Sequence, residues 1–299
     1  MRDPMAVMRS AISVPSAREG AFTAAERRPA HLGRVRELVA LRERLLVRGH
    51  PAPADGVTAD ELRRVLVTMF PPESLELAAI DWASPRVTHD ALERHEAVHE
   101  IIDRADLRRR LHPADRVCFG LFHAALPAEP LVFAEIALTS GMPETITEIL
   151  APDRVPQDID LATTAVFYSI SAAQPGLRGI AFGKLLIARA VATLHRDHPR
   201  IRDVVTLSPM PGLRRWLVAV TEARTPEAPP EDDALRDLSE TYLRHSRRGD
   251  GSRLDAVARF HLGNGASLDR IHLRADPSPR GMQQSFGAMA SYRYERQDS

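Results

Sequence analysis

The chain alternates between apolar stripes at helical spacing and short, unbroken apolar runs. Leu32, Val35, Leu38, Val39, Leu41, Leu45 and Leu46 recur at close to 3.6 residues and predict a helix over 31–47, with Arg42 interrupting the centre of its stripe. Two prolines and a glycine predict a turn over 50–56. Thr58 stands three residues before Glu61, a capping-box pattern; Leu62, Val65, Leu66 and Met69 then form the face of a second helix, stopped by Pro71 and Pro72. Such a helical region is too small to hold a core alone and is expected to pack on the rest of the chain or on another subunit. Leu75 to Trp82 predicts a strand, broken at Ser84-Pro85, and short helices follow over 88–98, with Thr88 as N-cap, and over 105–111. Arg116–His123 and Pro130–Leu138 are apolar and β-rich and lie close together, which predicts an antiparallel hairpin. A helix is expected over 143–150.

The stretch from Thr163 to Pro211 changes the picture. Thr164 to Ser171 is β-branched, aromatic and apolar, as a buried strand should be. Gly176, Gly179 and Gly183 then make a turn, Lys184 to Leu194 is a strongly apolar helix, and Val204 to Leu207 is a second buried strand ending at Ser208. Strand, glycine loop, helix and strand in that order form a unit able to cradle phosphate, because loop N–H groups and a helix N-terminus converge on one spot. Further on, 212–220 predicts a helix with Trp216 and Leu217 inward, 225–233 an acidic, proline-rich loop, and 234–243 another helix. Residues 254–262 predict a helix ending at Gly263-Asn264-Gly265, 267–275 helix or strand, and 285–294 a closing segment with two tyrosines. The order defines an α+β domain: a mixed α/β sheet with helices on both faces.

Composition narrows the function. A formal net charge of zero over 299 residues argues against nucleic acid as the main partner. Cys118, the one cysteine, excludes an internal disulfide and a multi-cysteine metal site, and its apolar strand predicts a buried core thiol. No run of about 18 apolar residues predicts a membrane span. The first 30 residues lack periodicity and an apolar signal core; they are expected to be a flexible leader on a cytoplasmic protein. Lys184, the single lysine among 40 basic residues, falls inside the glycine loop.

Each chemical motif also has a bland reading. The loop Arg178-Gly179-Ile180-Ala181-Phe182-Gly183-Lys184 can be a tight turn needing positive φ; Leu185 excludes a P-loop, and no G-x-G-x-x-G is present. Ser208 can be a Ser-Pro turn, and without a G-x-S-x-G elbow it is not a hydrolase nucleophile. His261 can be a helix cap whose charge suits the dipole, or a group that moves protons or binds a carboxylate. His95 and His99 are four residues apart, but without a third ligand they predict a solvated helix face, and no metal site is expected.

Several ordered motifs together resemble the malonyl-CoA decarboxylase family: Phe167-Tyr168-Ser169-Ile170-Ser171 through Gln174, Gly176, Leu177 and Gly179; Ser208-Pro209-x-Pro211-Gly212 with Trp216-Leu217; and Phe260-His261-Leu262-x-Asn264-Gly265-Ala266. Glu96-Ala97-Val98-His99, Glu129-Pro130-Leu131 and the closing Met289-Ala290-x-Tyr292-x-Tyr294 extend the match over 75–295. The resemblance implies a GNAT-like acyl-CoA-binding domain over 75–299, preceded by a short helical region over 31–74 that is the candidate surface for a homo-oligomer. It implies loss of CO2 from malonyl-CoA without a cofactor, giving acetyl-CoA. It puts the CoA-binding loop on Arg178 to Lys184, the catalytic pair on Ser208 and His261, and an acyl-positioning role on Asn264. The segment between Trp216 and His261 is short for the family, and the more open rim this implies could admit a malonyl group on a carrier protein. The alternatives are an acyltransferase on the same scaffold and a non-catalytic acyl-CoA-binding protein.

Overall fold

The computed structural model describes residues 24–48, 56–221, 229–251 and 253–295. The expected leader therefore lies outside the described residues up to 23, as do most of the expected turn over 50–56 and the first half of the expected loop over 225–233. Helix α1 (Ala24–Arg48) begins seven residues before the predicted one, at Ala24-Ala25-Glu26-Arg27-Arg28-Pro29-Ala30, which has no apolar stripe to mark it. Helix α2 (Ala59–Met69) carries the full capping box: Thr58 accepts from the Glu61 N–H, and the Glu61 carboxylate accepts from the Thr58 N–H.

A sheet of eight strands follows. Strands β1 (Leu75–Ala79), β2 (Arg116–His123), β3 (Val132–Thr139) and β4 (Thr164–Ala172) pair antiparallel in sequence order, so the expected hairpin is β2–β3. Helices α3 (Arg86–His95) and α4 (Arg104–Leu111) fill the β1–β2 connection. Of the helix expected over 143–150 only α5 (Thr147–Leu150) forms. Helix α6 (Gly183–Asp197) crosses from β4 to β5 (Asp203–Thr206), the one parallel pair among the described strands. After the two-residue strand β6 (Ser208–Pro209) come helices α7 (Leu213–Thr221), α8 (Asp232–His245) and α9 (Ala256–Gly263). Strand β7 (Ala266–His272) resolves the helix-or-strand alternative; α10 (Pro279–Ser285) and β8 (Met289–Tyr294) close the chain. The strand order is β1-β2-β3-β4-β5-β8-β6, with β7 on β8.

Several sequence expectations need correction. Thr88 is not an N-cap: α3 starts at Arg86 behind Pro85, and the Thr88 hydroxyl donates to Ala128 O at 2.8 Å. Nor do His95 and His99 share a helix face. The helix stops at His95 because Glu96 turns back to accept the N–H groups of Val98 and His99, each at 2.8 Å, and His99 Nε2 is buried without a hydrogen-bond partner among the described residues. No cluster of three or more metal-ligating side chains occurs among the described residues. Arg42 does not weaken α1: it is buried and donates to Ala59 O at 2.8 Å and to Gly176 O at 2.7 Å. The periodicity misread it because a guanidinium can be buried once backbone carbonyls satisfy it.

That contact joins the helical region to the glycine loop. A Cβ on Gly176 would lie 2.2 Å from the Val39 carbonyl oxygen, so only glycine lets α1 come this close. Val35, Leu38, Leu62 and Leu66 of the two leading helices belong to the same buried cluster as Phe182 and Leu186 of the loop and α6. Cys118 is a buried free thiol, as expected. No described helix is long and apolar enough to cross a membrane.

Candidate active site

The site begins where two neighbouring strands part. β4 and β5 run parallel as far as Phe167 and Thr206, with Leu207 N–H still donating to Phe167 O at 3.1 Å. One residue later the chain leaves β4 and keeps only β8, which β5 already pairs, with Ser208 opposite Ala290. Ser208 is thus not the last residue of β5 but the first of β6, which continues the β5 register along β8 after the pairing with β4 has ended. The gap is a cavity of about 200 Å³ lined by Val98, Phe167–Ile170, Ser208, Pro209 and the α9 residues Ala256, Val257, Phe260 and His261. Its wall is mostly apolar, and no lysine or arginine lines it.

Helix α9 delivers His261. Asp255 caps the helix by accepting from Val257 and Ala258 N–H groups, and Gly265, at φ +92°, ends it. His261 Nε2 lies 3.2 Å from Ser208 Oγ, although the two residues are 53 positions apart. The ring stacks on Tyr292, 4.8 Å between centroids, and its Nδ1 is 2.9 Å from the Tyr294 hydroxyl. Ser208 in turn donates to Thr206 Oγ1 at 2.9 Å. Burial pushes the His261 imidazole down to about 3, so it is neutral at physiological pH and not the cationic cap that a helix end favours. A pH test follows. The folded protein keeps His261 neutral while the unfolded chain protonates it below its ordinary value of 6.5, so this stabilisation is complete above 6.5 and lost as pH falls toward about 3. The expected result is a His261 imidazole resonance that does not titrate above about pH 5 and a urea midpoint that drops between about pH 7 and pH 5.

The opposite wall is also built. Ser169, facing the cavity from β4, donates to both oxygens of Glu96 at 2.8 and 2.7 Å, and Ser171 donates to Glu96 Oε2 at 3.0 Å. Behind it Arg110 donates to Glu135 at 3.1 Å, to Asp106 at 2.9 Å, and to the His99 and Glu100 carbonyls. Burial first, and the Glu96 carboxylate second, push Glu135 up from its ordinary range.

The loop Arg178–Lys184 lies at the N-terminus of α6. Gly179 has φ +83°, as a turn glycine needs, and Arg178, Ala181 and Lys184 are exposed while Phe182 is in the core. Leu186 N–H makes the first helical bond, to Phe182 O, and no side chain caps the end. The N–H groups of Gly183, Lys184 and Leu185 therefore point out of the helix. A Cβ on Gly183 would sit 2.4 Å from the Phe260 ring and 3.8 Å from Asn264 Nδ2, so loop and cavity meet across Phe260. Ile180 is half-buried against the core; Asn264 ends α9 beside the loop and does not line the cavity. Ser208 and His261 thus come together, with the loop adjoining them through Phe260. The sequence reading missed Thr206, Tyr294 and the Glu96–Ser169 pair. Tyr292 and Tyr294 did leave a signal: two tyrosines two apart on a strand share one face.

This arrangement is that of a protein of GNAT-like fold. The loading GNATL domain of CurA from Lyngbya majuscula superposes with a TM-score of 0.50 at 14% identity, over 74% of this chain and 97% of that one, a likeness of fold. The malonyl-CoA decarboxylase C-terminal domain family model matches residues 74–238 and 230–299, and the chain belongs to the malonyl-CoA decarboxylase family. The crystal structure of malonyl-CoA decarboxylase from Rhodopseudomonas palustris matches with a TM-score of 0.79 at 38% identity, over 89% of this chain and 71% of that one. The mitochondrial malonyl-CoA decarboxylase of Anser anser anser is 34% identical over 90% of this chain, which spans 63% of the goose protein's length.

Proposed function

We propose that this protein decarboxylates malonyl-CoA to acetyl-CoA and CO2, with Ser208 and His261 as the catalytic residues. The observation that carries the reading is the Ser208–His261 contact of 3.2 Å at the wall of an apolar cavity, in a chain of this family. The bond between the α-carbon and the carboxylate breaks, and its electron pair moves into the thioester carbonyl as an enolate. An apolar wall without cations leaves the carboxylate poorly solvated and favours its departure as uncharged CO2. The developing enolate oxygen needs fixed donors, which Ser208 Oγ–H or His261 Nε2–H can supply. The α-carbon then takes a proton from His261, and the imidazole recovers one from solvent. A neutral imidazole can do this because a thioester enolate is a stronger base than the imidazolate left behind.

The CoA pyrophosphate lies against the N–H groups at the start of α6, with Arg178 and Lys184 beside it, and Gly179, Ile180, Ala181, Phe182 and Gly183 shape the bend. The pantetheine arm enters between the parted strands along the open edge of β4, and Asn264 borders the path to the acyl group. No step in this scheme calls for a metal or an organic cofactor. A malonyl group on a carrier protein is a second candidate substrate, the cytoplasm the expected location, and the surface of α1 and α2 the candidate contact for a homo-oligomer. Mass analysis of the purified protein with malonyl-CoA should show acetyl-CoA and CO2 with no acceptor present. Consumption of acyl-CoA only after an amine or hydroxyl acceptor is added would replace this reading with an acyltransferase.

A further inference from the structure

Ser208 has one hydroxyl proton and two neighbours close enough to take it: Thr206 Oγ1 at 2.9 Å and His261 Nε2 at 3.2 Å. Whichever receives it decides where the imidazole carries its own proton. We infer that Thr206 is a positioning residue of the site: by accepting the Ser208 proton it obliges His261 to hold its proton on Nε2 and present an N–H, not a lone pair, to the serine. The inference rests on the proposed function for its catalytic meaning and on geometry alone for the tautomer.

Three observations support it. Thr206 is fully buried at the end of β5, and its Oγ1 also accepts the Tyr292 backbone N–H at 3.1 Å, so the acceptor is fixed by the sheet. At the far side of the ring Tyr294 O–H, 2.9 Å from Nδ1, completes a chain in one direction: Tyr294 to Nδ1, Nε2–H to Ser208 Oγ, Ser208 to Thr206. The chain balances for a neutral ring, with one proton per link. Run in reverse, with Ser208 donating to Nε2, Thr206 Oγ1 would lose the serine proton that its 2.9 Å contact receives.

The direction has a chemical consequence. A histidine that donates to Ser208 is not a base that activates it, so this serine does not attack the thioester and no acyl-enzyme forms. Instead the Nε2–H stays a donor, able to turn from Ser208 Oγ to an enolate that is made and protonated beside it.

The test reads the tautomer directly, in the free full-length protein labelled with 15N-histidine. The His261 signals are identified among the 12 histidines by their loss in His261→Gln. The wild type is expected to show a protonated Nε2 and a bare Nδ1. Thr206→Val keeps the shape and removes the acceptor. It should move the proton to Nδ1 and lower kcat with malonyl-CoA by about 10- to 100-fold, with KM within about threefold. Thr206→Ser should restore both, and Tyr294→Phe should shift the tautomer in the same direction as Thr206→Val. A wild type protonated on Nδ1 overturns the inference, as does a Thr206→Val protein with the wild-type tautomer. If Thr206→Val does not fold, the wild-type and Tyr294→Phe spectra decide. No substrate is present in that measurement, so a wild type that leaves malonyl-CoA intact sinks the proposed function while the tautomer still judges Thr206.

Discussion

Ser208→Ala and His261→Ala should each lower kcat for malonyl-CoA by about 10²- to 10⁴-fold, and the double variant should be little worse than either single one. Near-equality is expected because the two groups act as one unit: each holds the other in place across 3.2 Å, and the enolate needs both. Ser208→Ala removes only a hydroxyl and leaves the surrounding apolar wall, so its thermal midpoint should stay close to wild type. His261→Ala empties the space between Tyr292 and Phe260 and will also lose stability, by about 1–3 kcal/mol. His261→Gln, which fills more of that space, separates the two effects: activity should remain lost while stability largely returns. CoA binding, measured by calorimetry, should survive in all of these, since the loop at the start of α6 is untouched. A Ser208→Ala protein with wild-type kcat would falsify the catalytic assignment.

Arg110→Met is expected to cost about 3–5 kcal/mol of folding stability, read as a lower urea midpoint. The guanidinium is almost fully buried and uses its donors on Asp106, Glu135 and the His99 and Glu100 carbonyls. Removing it leaves the buried Asp106 carboxylate with only Arg109 and the Ile102 N–H, and takes this donor from two carbonyl groups at once. Glu135→Gln should be much milder, about 1 kcal/mol, because burial already favours the neutral form at that position. The same arginine anchors the segment from His99 to Glu100, next to the cavity residue Val98, so KM should rise together with the loss of stability. A stability loss no larger for Arg110→Met than for Glu135→Gln would refute the view that this guanidinium holds the wall.

The strands and helices were legible wherever one face of an element meets the core. The β2–β3 hairpin, the capping box at Thr58 and the strand–loop–helix–strand unit around Gly179 all write their structure in local spacing. Local spacing failed at Thr88, His99 and Arg42, and the reason is shared. Each is a polar residue satisfied, or left unsatisfied, by groups far along the chain: Ala128 O for Thr88, Gly176 O for Arg42, and nothing for His99 Nε2. A local pattern reads such a residue as a cap or as solvent-facing because it counts polarity, not partners.

The order of apolar runs, the glycines of the loop and the separated motifs around Ser208 and His261 were enough by themselves to determine the mixed sheet, the family and the residues to suspect. Only the tertiary structure decided what those residues are. It set Ser208 on a new strand where β5 leaves β4, brought His261 to it from 53 positions away, and excluded water so that the imidazole stays neutral. It also supplied Thr206 and Tyr294 as the two ends of a proton chain. Desolvation and hydrogen-bond direction depend on every neighbour a group meets, and a one-dimensional pattern records only those next to it in the chain.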